Sequence, residues 1–195
     1  MSPAADNTAA VVLAAGRSSR MGAAKATLPW KNTTFLGHIL AVLEGSNIRR
    51  RAVVLGPDLE NIQKKVDLTG IDLLRNPDVD RGQLSSLWIA LDWAETNPGT
   101  EALLVCLVDH PDITSDLIAK LVDRFRKVGK PIVIPTHQGQ RGHPTVFARE
   151  TFASLKAAPL ETGARTVLTA NPHWIDELPV DHSGVLKGAN TPDEL

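Results

Sequence analysis

Five short apolar runs recur along the chain: AAVVLAA (9–15), AVVLG (52–56), IDLLR (71–75), ALLVCLV (102–108) and PIVIP (131–135). Each is too continuous for a strand with one wet face and too short for a buried helix, so the pattern predicts strands covered on both sides. Between them the apolar period changes. In TTFLGHILAVLEG, Phe35, Leu36, Ile39, Leu40 and Leu43 form one helical stripe, and in LSSLWIALDWAE, Leu84, Leu87, Trp88 and Leu91 form another. TSDLIAKLVDRFRKVGK predicts a third helix: Thr114 or Ser115 caps its start, Leu117, Ile118, Leu121, Val122 and Phe125 make its inner face, and Arg124, Arg126 and Lys127 precede Gly129 as a stop signal.

Strands alternating with helices imply right-handed βαβ units. The fold class is therefore α/β: a doubly wound, mostly parallel sheet with helices on both faces. Past residue 135 the alternation weakens, and THQGQRGHPTVFA reads as a glycine-bearing turn into a strand, a small antiparallel excursion over the site. With 195 residues the chain has material for one sizeable core, and we read residues 1–195 as a single domain.

Composition narrows the partners. A formal charge of -1 supplies no basic field for nucleic acid. AAVVLAA is preceded by Asp6 and by no Lys or Arg, and it is far shorter than a membrane span, so neither a signal peptide nor a membrane anchor is expected and the cytoplasm fits. Cys106 is the only cysteine, which excludes an internal disulfide; inside ALLVCLV it reads as a buried, inert thiol. The six histidines form no metal-ligating pair, no G-x-S-x-G elbow occurs, and Trp30, Trp88, Trp93 and Trp174 read as packing residues.

The candidate chemistry begins directly after the first strand. In AAGRSSRMGAAK, Gly16 and Gly22 permit close backbone approach and free N–H groups, while Arg20 and Lys25 supply charge-assisted donors, a combination suited to phosphate. The glycine spacing fits neither a Walker A loop nor a GxGxxG fingerprint. A solvated loop with the same composition is the plain alternative. DHPD follows the 102–108 strand, so both stretches belong to the C-terminal edge of the sheet, where such folds bind ligands.

LAAGRSSRMGAAK resembles the LAAGxSxRMGxxK signature of the MobA-like nucleotidyltransferases, most closely their MocA branch. RNPDVDRGQLSSL, LVDHPDIT, GQRGHPTVF, ETGARTVL and NTPDEL resemble further family segments in the same order, so the likeness runs from about residue 11 to 195. It implies a Rossmann-like nucleotidyltransferase fold and attack of an acceptor phosphate on the α-phosphate of a nucleoside triphosphate, with release of pyrophosphate. By that resemblance Arg20, Lys25 and Asp109 are catalytic, and Leu13, Ala14, Ala15, Gly16, Arg20, Lys25, Gly82, Ser85 and Ser86 bind nucleotide. Asp109 and Asn190 hold Mg2+, and Arg141 and His143 face the acceptor.

Helix capping is the alternative for the two serines, a turn or helix cap for Asn190, an Asx turn capping the following loop for Asp109, and a strand-edge structural role for His143. Asn190 stands where relatives carry Asp or Asn. The LAAG form of the loop is associated with CTP, and the MocA branch with a molybdopterin-type acceptor and a molybdenum hydroxylase that receives the product. KNTTFLGH and Glu161–Thr162 depart from the family pattern on the acceptor side. The alternatives are cytidylyl or uridylyl transfer to another small phosphate, guanylyl transfer from GTP, and a non-catalytic module that delivers nucleotide or cofactor.

Overall fold

The computed structural model describes residues 7–16 and 24–188. Among these, ten strands are formed: β1 (Thr8–Ala14), β2 (Pro29–Trp30), β3 (Thr33–Thr34), β4 (Arg50–Leu55), β5 (Asp72–Arg75), β6 (Ala102–Leu107), β7 (Ile132–His137), β8 (Gln140–Arg141), β9 (Thr145–Ala148) and β10 (Ile175–Pro179). The helices are α1 (Phe35–Gly45), α2 (Leu59–Gln63), α3 (Gln83–Thr96), α4 (Ser115–Val128), α5 (Phe152–Lys156) and α6 (Arg165–Ala170). The main sheet runs β10-β7-β9-β6-β1-β4-β5, with β8 paired to the end of β7 and β2–β3 forming a separate small ribbon.

β1 lies in the middle, parallel to β4 and β6, and every residue of it is buried. Its alternation divides the core. Ala10, Val12 and Ala14 face α1 and α4, where Phe35, Ile39, Leu117, Ile118 and Leu121 pack; Ala9, Val11 and Leu13 face α3 and α5, against Leu87, Leu91 and Phe152. Cys106 sits in the first of these layers, and burial pushes its thiol up to about 12, which leaves it protonated and unreactive.

One expectation from the sequence changes. IDLLR forms β5, but this strand pairs only with β4 and closes one edge of the sheet, so Leu73 is 38% exposed and Asp72 and Arg75 face solvent. The strand predicted in THQGQRGHPTVFA is antiparallel as expected, and it is built into the main sheet: β9 is threaded between β6 and β7. The reason is its composition. Val146 and Phe147 point to opposite faces and are both buried, which requires a covered, interior position.

Candidate active site

The C-terminal ends of β1 and β6 diverge into the two chemically suggestive loops, and a hydrogen bond from Val108 N–H to the Leu13 carbonyl (3.2 Å) ties them together where they leave the sheet. Lys25 opens a short 3₁₀ turn, Lys25–Thr27, seated against α1. From there its Nζ donates to Asp109 Oδ2 at 3.1 Å, with the two side chains 19% and 28% exposed. The pair stands in a cavity of about 370 Å3. Leu13, Ala14, Ala15 and Gly16 line one side of it, Leu107, Val108 and Asp109 a second, and Val79, Gly82, Gln83 and Ser86 the third.

That third wall is built by α3. Gly82 precedes the helix at φ 77° and ψ -172°, a conformation open essentially to glycine. Behind it Asn76, only 1% exposed, donates through Nδ2 to Ser85 Oγ and Ser86 Oγ, both at 2.9 Å, while its Oδ1 accepts from Asp78 N–H. Ser85 Oγ donates to the Gly82 carbonyl at 2.7 Å, so its hydroxyl is spent inside the turn. Ser86 lines the cavity. Neither serine caps α3, whose N-cap is Gly82.

On the other side of Asp109, β9 starts beside the end of β6 and brings His143 against His110, the ring centroids 5.2 Å apart in an edge-to-face arrangement. Both Nδ1 atoms are buried without a hydrogen-bond partner. Burial pushes His143 down to about 4, with His110 adding to the shift and the Asp109 charge opposing it; burial also lowers His110. Both rings are therefore neutral at pH 7. Arg141 lies off this cluster, on β8, where its Nε and Nη2 engage Glu177 Oε1 at 2.8 and 2.7 Å.

The structure thus brings Leu13, Ala14, Ala15, Gly16, Lys25, Gly82, Ser86 and Asp109 onto one cavity and leaves Ser85, Arg141 and His143 outside its lining. Arg20, Gly22 and Asn190 lie outside the described residues. Asn76 and His110 stand in quoted motifs: Asn76 bonds residues of its own motif, Asp78, Ser85 and Ser86, whereas the partner of His110, His143, comes from another motif, and only the fold reveals either contact. The Asn-Pro pair directly after a strand was the available signal for Asn76.

A mostly parallel sheet with a glycine-walled cavity and a Lys–Asp pair at its C-terminal edge defines a ligand-binding α/β protein. Residues 10–175 match the MobA-like NTP transferase domain, and the chain belongs to that family of nucleotidyltransferases. It is similar to the "Molybdenum cofactor cytidylyltransferase" of Escherichia coli (strain K12), with 25% identity over 95% of this chain and 92% of the relative. It is also similar to the "Probable molybdenum cofactor guanylyltransferase" of Mycobacterium ulcerans (strain Agy99), with 30% identity over 96% of this chain and 90% of that one. Among solved structures, Rv0371c from Mycobacterium tuberculosis H37Rv superposes with a TM-score of 0.86 at 29% identity, covering 98% and 96% of the two chains. Among the described residues no helix is long and apolar enough to cross a membrane.

Proposed function

We propose that this protein transfers CMP from CTP to the terminal phosphate of molybdopterin, with or without bound molybdenum, and releases pyrophosphate. The observation that carries the reading is the Lys25–Asp109 pair on a cavity walled by Ala15 and Gly82. In the reaction an acceptor phosphate oxygen forms a bond to the α-phosphorus while the bond to the bridging oxygen breaks, and pyrophosphate departs with that oxygen. Lys25 serves the triphosphate as a preorganised cation, and Asp109 keeps its Nζ aimed into the cavity. Gly16 and Gly82 let the backbone approach the nucleotide, and the Ala15 methyl narrows the space available to a purine. Ser86 Oγ, which accepts from Asn76, keeps its own proton for a base or ribose oxygen.

The donor chemistry fits magnesium. Asp109 offers a hard carboxylate oxygen at the cavity, and magnesium needs only one or two protein groups besides phosphate oxygens and water. Asp109 and Asn190 are the residues assigned to it. Bound there, magnesium would neutralise charge on the triphosphate. Neutral His143 and His110 stand on the acceptor side, and the cytoplasm is the proposed location.

The test is magnesium-dependent pyrophosphate release from CTP and from GTP, each with and without molybdopterin. Release that requires both CTP and molybdopterin is the expected result; faster release from GTP overturns the nucleotide, and release with another acceptor phosphate but not molybdopterin overturns the acceptor. Guanylyl transfer is the second reading, favoured by the 30% identity to the Mycobacterium ulcerans relative.

A further inference from the structure

A second cavity, of about 430 Å3, lies between α1 and the connection from α2 to β5, and it shares no lining residue with the Lys25–Asp109 cavity. Leu40, Val66 and Ile71 give it an apolar floor. Arg51 enters from β4, opposite Ala10 and so at the other end of β1 from Ala14. Its side chain is 15% exposed, and its Nε is buried without a hydrogen-bond partner. The ion pair it makes, Nη1 to Glu44 Oε1, is 3.5 Å long, and Glu44 is 74% exposed. By contrast the exposed Arg124 holds Asp176 at 2.6 and 2.9 Å.

A guanidinium presents a planar fork of donors, and taking it out of water without filling that fork is costly. Lys65 adds a second cation to the cavity wall. The other lining carboxylate, Asp67, is turned to its own loop, where the Thr69 hydroxyl and N–H hold it below its ordinary carboxylate value. We infer that this groove binds a compact dianion, a phosphate monoester or a dicarboxylate, gripped by the Arg51 fork and Lys65 in place of Glu44.

The experiment follows the Arg51 Nε–H signal by nitrogen-15 NMR at mildly acidic pH while inorganic phosphate or, separately, succinate is added to the full chain. This signal is local, so anion binding at the phosphate loop does not register in it. A saturable shift with either anion, weakened roughly tenfold in Lys65→Met as for loss of one charge-assisted bond, is expected. The tighter arm identifies phosphate or carboxylate as the source. No saturable shift with either anion, or an equal shift in Lys65→Met, overturns the site.

Discussion

Lys25 and Asp109 stand 84 positions apart and meet because β1 and β6 are neighbours that end on the same edge. A preorganised cation aimed at developing charge contributes about 2.7 to 4 kcal/mol to the barrier, so Lys25→Ala should lower pyrophosphate release on the order of 100- to 1000-fold. Steady-state release with saturating nucleotide checks this, and activity close to that of the unaltered protein would remove Lys25 from the chemistry. His143 makes a separate prediction. Its value of about 4 lies below the ordinary 6.5, so between those values the unfolded chain binds the proton that the folded chain refuses. Stability is therefore fully present above pH 6.5 and declines as pH falls toward 4, by about 3 kcal/mol from this ring alone. Urea unfolding across that range should show the decline, and His143→Leu should flatten it. The motif residues on the cavity were legible in the sequence because each sits at a strand end or a helix start. The neutrality of His143 was not, because it depends on which surfaces bury the ring.

At the scale of elements, periodic helices and continuous apolar runs were readable, and short segments with neither were not. α4 starts and stops as its sequence signals: Thr114 Oγ1 accepts from Leu117 N–H at 3.2 Å, and Gly129 ends the helix in the left-handed region at φ 63°. The short elements α2, α5 and β10 carry too few residues to establish a period and are fixed by packing instead. The start of α3 combines both levels, since its apolar stripe was visible but its anchor, Asn76, was not. Asn76→Ala would leave Ser85 and Ser86 without their common donor and Asp78 N–H without its acceptor, a cost of about 1 to 3 kcal/mol for buried groups. Because Ser86 and Gly82 line the cavity, the same variant should raise the KM for nucleotide more than it lowers kcat. Unfolding curves together with nucleotide titrations check both effects. Lost stability with an unchanged KM would make the network purely structural.

For the whole molecule, the parallel half of the sheet was legible from its apolar runs, but how the chain returns after β10 was not. That return forms a strap over the His143 side of Asp109. Val180 N–H bonds the Thr136 carbonyl at 2.8 Å, the Val185 carbonyl accepts from His143 N–H at 2.9 Å, and His182 Nε2 meets the Asp112 carbonyl at 2.6 Å. The strap therefore joins β7, the start of β9 and the loop after β6 in one contact. It can lie this close only because Gly184 has no side chain: a Cβ there would run into the Asp112 carbonyl oxygen and His182 Nε2, and the backbone oxygen cannot swing aside. Gly184→Ala should lift the strap and cost about 1 to 3 kcal/mol, the usual penalty for overfilling a packed contact. The cavity wall made by Ala15, Gly82 and Ser86 lies on the other side of Asp109 and contains no strap residue. Nucleotide affinity should accordingly hold while acceptor-dependent turnover falls, which calorimetric titration with CTP and turnover at varied acceptor concentration would separate. An equal loss of CTP affinity would instead show that the strap supports the whole sheet edge rather than only its His143 half.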